Sequence, residues 1–152
     1  MSLTPAEARE RMIGAWKMLS FEVISVGTSG AQTTTQRLGP TPLGRMIFNP
    51  DGYMSALGTV PEHTKHITPE VPWVIAPDED VAFVPRYAMM YWGAFRIFKE
   101  DGGLRLATDV HVSLDPGWMG TEQVRSVELK EKDGKIIMVL RPVQPLLKPV
   151  SK

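Results

Sequence analysis

The sequence predicts an all-β fold, an up-and-down antiparallel β-barrel of about eight strands with a short N-terminal helix and a helical or loop excursion near residues 60–90. Three observations carry that expectation. First, 13 prolines and 13 glycines punctuate several Val/Ile/Thr-rich runs, a composition that favours many short strands joined by turns. Second, the stretch from Gly39 to Gly58, GPTPLGRMIFNPDGYMSALG, spells out a hairpin: in Asn49-Pro50-Asp51-Gly52 a proline presets φ and a glycine permits positive φ between two β-prone runs. Third, Glu100-Asp101-Gly102-Gly103 and Lys132-Asp133-Gly134-Lys135 read as further turns between strand signals. Consecutive antiparallel strands in such number are best satisfied by closing on themselves, which removes unpaired edges.

The elements follow in order. Thr4-Pro5-Ala6-Glu7 opens a helix, because threonine caps, proline suits the first helical position and glutamate stands three residues after the cap. That helix is expected from Pro5 to Ile13, with Gly14 ending it. Trp16 to Val26 alternates well enough to read as one long first strand. Gly27-Thr28-Ser29-Gly30 then turns the chain into Gln32 to Leu38, rich in β-branched threonine and short of anything to bury, hence a half-exposed strand. The hairpin supplies Leu43 to Asn49 and Tyr53 to Thr59. Period two puts Met46 and Phe48 on one face of the former, and Tyr53, Ser55 and Leu57 on one face of the latter. Val60 to Met90 is broken by Pro61, Pro69, Pro72, Pro77 and Pro85. Pro77-Asp78-Glu79-Asp80 suits a helix start that Pro85 stops after about two turns. A lid-like excursion is expected here. Strands resume at Tyr91 to Lys99, Leu104 to Leu114, Gly120-Thr121 to Leu129, and Ile136 to Val143, with Asp115-Pro116-Gly117 breaking the chain between the second and third.

At 152 residues the chain suits a single domain, residues 1–152. Net charge is +0 and the pI is about 6.8. With no basic run, there is no electrostatic footprint for nucleic acid or an anionic membrane. No cysteine is present, which removes disulfides, thiolate metal ligands and cysteine nucleophiles. The start, MSLTPAEARERM, is charged where a signal peptide would be apolar, and nowhere do about 18 apolar residues run together. A soluble, cytoplasmic protein is the expectation. Neither a glycine-rich phosphate loop nor a G-x-S-x-G elbow occurs. His63 and His66, in Glu62-His63-Thr64-Lys65-His66, would share a helical face at i, i+3. Pro61 and Pro69 disfavour that helix and no further His/Cys cluster supplies a third ligand, so no metal and no cofactor is expected.

The polar residues that could carry chemistry come from two successive strands. On one, Asp109, His111 and Ser113 share a face; on the next, Gln123 and Arg125 do. Antiparallel pairing across the Asp115 to Gly120 turn can bring the two sets alongside, with Trp118 near the connection. The pattern leaves two readings open. Pointing inward, an imidazole, a guanidinium, a carboxylate and an amide stand in a dry cavity, where polar groups must bind each other or a ligand. Pointing outward, they form a solvated face over an apolar core. Tyr53 and Tyr91 are candidate proton donors, although a barrel tyrosine is more often a packed ring with its hydroxyl at the rim. Nine methionines, including Met46, Met54, Met89, Met90, Met119 and Met138, suit an adaptable apolar cavity or a plain core.

GAWKMLSFE from Gly14, with its G-x-W opening, GPTPLGRMIFNPDGYMSA from Gly39, the Tyr-x-Gly element at Tyr91 to Gly93, and VHVSLDPGWMGTEQVR from Val110 together resemble the lipocalin-like domain family of small barrels, over Ile13 to Arg125. The resemblance implies an up-and-down barrel with a cavity for a small hydrophobic metabolite. It also points the polar set inward, since His111, Trp118, Gln123 and Arg125 are among the residues that carry it. Members of this family and other small barrels occur beside biosynthetic genes of secondary metabolism, where some cofactor-free barrels act as cyclases or isomerases. The expectation is therefore a cofactor-free cyclase or isomerase acting on a largely apolar biosynthetic intermediate. The alternatives are a non-catalytic carrier of the same kind of molecule and a domain whose interior is simply filled. In the enzyme, His111 would transfer the proton, Arg125 and Tyr91 would polarise a carbonyl, and Asp109 would orient His111. Trp16, Tyr53, Ser55, Trp92, Trp118 and Gln123 would contact the substrate. The family usually ends in a further strand carrying Trp and Arg. Here Gln144 to Lys152 stand in its place, so either this tail or a second subunit, in a homodimer, is expected to cover the open edge.

Overall fold

The computed structural model describes residues 2–64 and 71–143. Helix α1 (Pro5–Met12) begins with the capping box its sequence spells. The Glu7 amide donates to the Thr4 hydroxyl at 3.2 Å, and the Thr4 amide donates to the Glu7 carboxylate at 2.8 Å. Two of the helix's orphan amides are thereby satisfied.

Among the described residues the strands are β1 (Gly14–Lys17), β2 (Val23–Val26), β3 (Gln32–Thr35), β4 (Leu43–Phe48), β5 (Tyr53–Thr59), β6 (Ala88–Glu100), β7 (Gly103–Ser113), β8 (Glu122–Lys132) and β9 (Lys135–Pro142), with helix α2 (Asp78–Arg86) between β5 and β6. Seven of them form one antiparallel sheet in the order β1-β4-β5-β6-β7-β8-β9, curled into a half-barrel. Its edges are β1 and β9, which do not pair with each other among the described residues. The tail from Gln144, expected to cover that edge, lies outside the described residues.

One strand differs from expectation. Trp16 to Val26 is not continuous: the Met18 amide makes a 3.0 Å bond to the Gly44 carbonyl, after which the chain leaves the sheet, and β2 pairs only with β3. The reason lies in the partner. β3 is polar throughout, Gln32 followed by three threonines, and all four of its residues are exposed; the ribbon does not pack on the core and leaves Ile24 and Val26 of β2 exposed as well.

The central hairpin forms as its turn demands. Gly52 adopts φ 94°, the Asn49 amide donates to the Tyr53 carbonyl at 2.9 Å, and the Tyr53 amide donates back to the Asn49 side-chain oxygen at 2.9 Å. Register then places Phe48, Met54 and Ala56 on the buried side. They join Met12, Tyr91, Phe95, Leu106, Val110 and Val127 in one core cluster, each large side chain contributing about 1.5–3 kcal/mol by leaving water. At the hairpin end α1 packs against the sheet, with Met12 in the core. The Arg9 guanidinium donates to the Pro50 carbonyl at 2.8 Å and lies 5.4 Å from the Phe95 ring centre.

The excursion leaves from the opposite ends of β5 and β6. It contains short 3-10 turns at Pro61–Thr64 and Trp73–Ile75 and then α2, whose last turn holds Pro85. It is tied down by rings: His63 stacks on Phe83 at 4.7 Å and meets Tyr87 edge-on at 4.4 Å. The Thr59 hydroxyl adds a 3.1 Å bond to the Tyr87 carbonyl. Lys65 to Glu70, and with them His66, lie outside the described residues. Among the described residues no helix is long and apolar enough to cross a membrane.

One irregularity governs the site. The pairing of β6 with β7 shifts at Trp92/Gly93, so that Gly93 opposes Val110 while Trp92 opposes Val112, and His111 is the extra residue. A β-carbon at position 93 would overlap the Asp109 carbonyl. Glycine there allows the two backbones to approach and the bulge to form.

Candidate functional site

Register decides which candidates meet. Leu106 and Thr108 are buried, and they oppose Arg125 and Gln123 across β7 and β8, which puts Gln123 and Arg125 on the inner face. Asp109 opposes Glu122 and is therefore outside. Past the bulge, Ser113 returns to the inner face opposite Tyr91, while His111 stays outside. On β6, the pleat sends Tyr91 inward and its neighbour Trp92 outward. One continuous inner row results, Trp16–Met46–Ala56–Tyr91–Ser113, read across five strands.

The chemistry of the inner face gathers where β6 and β8 approach the β7–β8 connection. Tyr91 is 3 % exposed, with its ring edge-on to Trp118 at 5.4 Å. The Arg125 guanidinium lies over the same indole, 5.4 Å from its centre. Burial raises the Tyr91 phenol above its ordinary pKa, and the Arg125 charge pulls it part of the way back. Trp118 is fixed by its own turn. The Asp115 carboxylate accepts the Gly117 amide at 2.9 Å, the Thr121 hydroxyl donates to the Trp118 carbonyl at 2.7 Å, and the Gln123 amide nitrogen donates to Thr121 at 2.9 Å. Trp16 is anchored by its indole N–H, which donates to the Met12 carbonyl at 2.7 Å. Met46, Met89 and Met138 pack against the same core. The arrangement offers an apolar, polarisable wall with one phenol O–H and one guanidinium set into it.

The other half of the expected set forms a second group on the outer face. Tyr53 and Trp92, 47 % and 39 % exposed, stand 6.3 Å apart, and the His111 ring lies 5.0 Å from Trp92 and 6.5 Å from Tyr53. Ser55 opposes Trp92 in the same layer, and Asp109, opposite Ala94, is exposed on that layer too. The expectation that Asp109, His111 and Ser113 share a face with Gln123 and Arg125 thus fails. Pairing is offset by one residue from that arrangement, and the bulge then separates His111 from Ser113. Sequence reasoning missed the bulge, although a glycine inside an otherwise alternating strand was a signal for it. It also missed the His63–Phe83–Tyr87 ring cluster, for which the i, i+4 spacing of Phe83 and Tyr87 on a helix end was the available cue.

A cleft of about 260 Å³ lies elsewhere, at the start of β7, lined by Ser2, Leu3, Lys99, Leu104, Val127 and Leu129 among others. It contains none of the candidate residues. Among the described residues no three His, Asp or Glu side chains gather in a way that could hold a metal ion.

A family model described as a lipocalin-like domain matches residues 13–148. No curated protein and no solved structure matches the chain. The match covers most of the sequence and extends past the stretch on which the resemblance rested, and the curled antiparallel meander with its small N-terminal helix agrees with it. The chain belongs to the lipocalin-like domain family, a fold suited to holding a small molecule.

Proposed function

We propose that this barrel binds a small, largely apolar molecule on its inner face, against Tyr91, Trp118 and Arg125. The observation that carries the reading is the meeting of a buried phenol and a guanidinium on one indole, on a concave face otherwise lined mainly by apolar side chains. Of the two finer roles, carriage is favoured, because His111, the group best suited to move a proton, stands on the outer side of the sheet. The test is titration with N-phenyl-1-naphthylamine, a neutral apolar fluorophore. Saturable binding is expected, weakened about tenfold by Trp118→Ala and left unchanged by His111→Ala. Absence of saturable binding, or equal affinity in Trp118→Ala, overturns the reading.

A second role rests on the Tyr91–Arg125 pair. A phenol held neutral by burial can donate to a carbonyl oxygen while the guanidinium stabilises the enolate, which is the polarising half of a cofactor-free isomerisation or cyclisation. If such turnover exists, Tyr91→Phe lowers kcat for a β,γ-unsaturated ketone with little change in KM. No turnover of such a substrate by the native chain leaves carriage alone.

A further inference from the structure

We infer that the molecule held on the inner face carries a carboxylate, and that Arg125 is the group that recognises it. This rests on the binding reading above and specifies its ligand. Arg125 is half-buried on the concave side, opposite buried Leu106. Among the described residues its guanidinium has no ion pair and no hydrogen bond. The ion pairs among the described residues are Arg96–Glu122 at 2.9 Å, Arg141–Glu128 at 3.1 Å and Lys130–Glu128 at 3.5 Å. All three belong to the outer layer, where Asp109 opposes Glu122 and Ser126 opposes Arg141. The inner-face positions of β4 to β7 carry no carboxylate.

An arginine keeps its charge at any ordinary pH, and a half-buried guanidinium with no acceptor among the described residues has its donors open to a ligand's oxygens. Trp118 beneath it supplies a π face but accepts none of the guanidinium's N–H donors. Tyr91 does not supply an anion either: its phenol is pushed toward the neutral form by burial and offers a further donor. Gln123, on the same face, spends an amide N–H on Thr121. Two adjacent donor groups without an acceptor match the two oxygens of a carboxylate, which a guanidinium fork binds through parallel hydrogen bonds. A single positive charge at this spot matches a monoanion better than a phosphate dianion. The methionines and Trp16 that pack around the row provide the surface for a hydrocarbon body. The ligand class is therefore an amphiphilic monocarboxylic acid.

The experiment compares decanoate with decanamide, equal in chain length and differing in charge, as competitors for bound N-phenyl-1-naphthylamine at neutral pH and low salt. Decanoate is expected to displace the fluorophore at a concentration about tenfold lower than decanamide. Arg125→Gln should bring the two within about twofold, and Arg125→Lys should retain part of the preference. If both compounds displace the fluorophore equally from the native chain, the carboxylate inference falls while the binding reading stands. If the preference survives in Arg125→Gln, the assignment to Arg125 falls. If the fluorophore itself does not bind, both fall together. Should Arg125→Gln fail to fold, Arg125→Lys decides the assignment: a preference undiminished there overturns it.

Discussion

Tyr91 and Trp92 adjoin in sequence and face opposite sides of the sheet, so the expectation that both would meet the substrate could not hold for the two together. That much was legible, because alternation along a strand is strict. Which of the two faced inward was not, since neither ring size nor polarity separates them; Tyr91 is inside because it opposes Ala56 and Ser113 in a buried row. Its burial has a measurable consequence. The folded-state phenol titrates above the ordinary tyrosine value of about 10, with desolvation the larger cause and Arg125 opposing it. As pH rises past that ordinary value the unfolded chain releases its proton first, so folding stability is level below it and declines between the unfolded and folded pKa values. Urea unfolding at about pH 8 and about pH 11 should show a larger alkaline loss in the native chain than in Tyr91→Phe, where this share of the decline is absent. Equal losses in the two proteins would mean that Tyr91 is not buried as described.

Among the elements, those specified by local chemistry were readable and those specified by distant partners were not. Helix α1 starts where Thr4, Pro5 and Glu7 require it to start, the 49–52 turn closes through Asn49 and Gly52, and α2 ends within a residue of Pro85. The split of the first strand into β1 and β2 depends instead on which segment each half pairs with, Arg45 to Phe48 for one and Gln32 to Thr35 for the other. The same holds for the β6–β7 bulge, where one glycine meets one carbonyl across the sheet. Gly93→Ala should therefore be costly out of proportion to a single methyl group. A loss of about 2 kcal/mol or more is expected from urea unfolding, because backbone rather than a flexible side chain must give way. A change below about 0.5 kcal/mol would show that β7 can retreat freely. A folded variant would also shift the outer aromatic group, readable as altered Trp92 fluorescence.

At the level of the molecule, the class of fold follows from the number and spacing of turns, which local residues dictate. The sidedness of the polar residues follows from register across β7 and β8, which they do not. An offset of one residue in that pairing moved Asp109 and His111 to one layer and Gln123 and Arg125 to the other, and no composition or period in either strand forecasts the offset. The bulge sets the limit on what the barrel can do to a guest. Because the one imidazole on β7 is turned toward water, the concave side between β4 and β8 presents a hydroxyl able to give hydrogen and a fixed positive charge, but no imidazole from β7 poised to strip hydrogen from carbon. On the carrier reading, such a lining lets an occupant depart with every bond as it arrived.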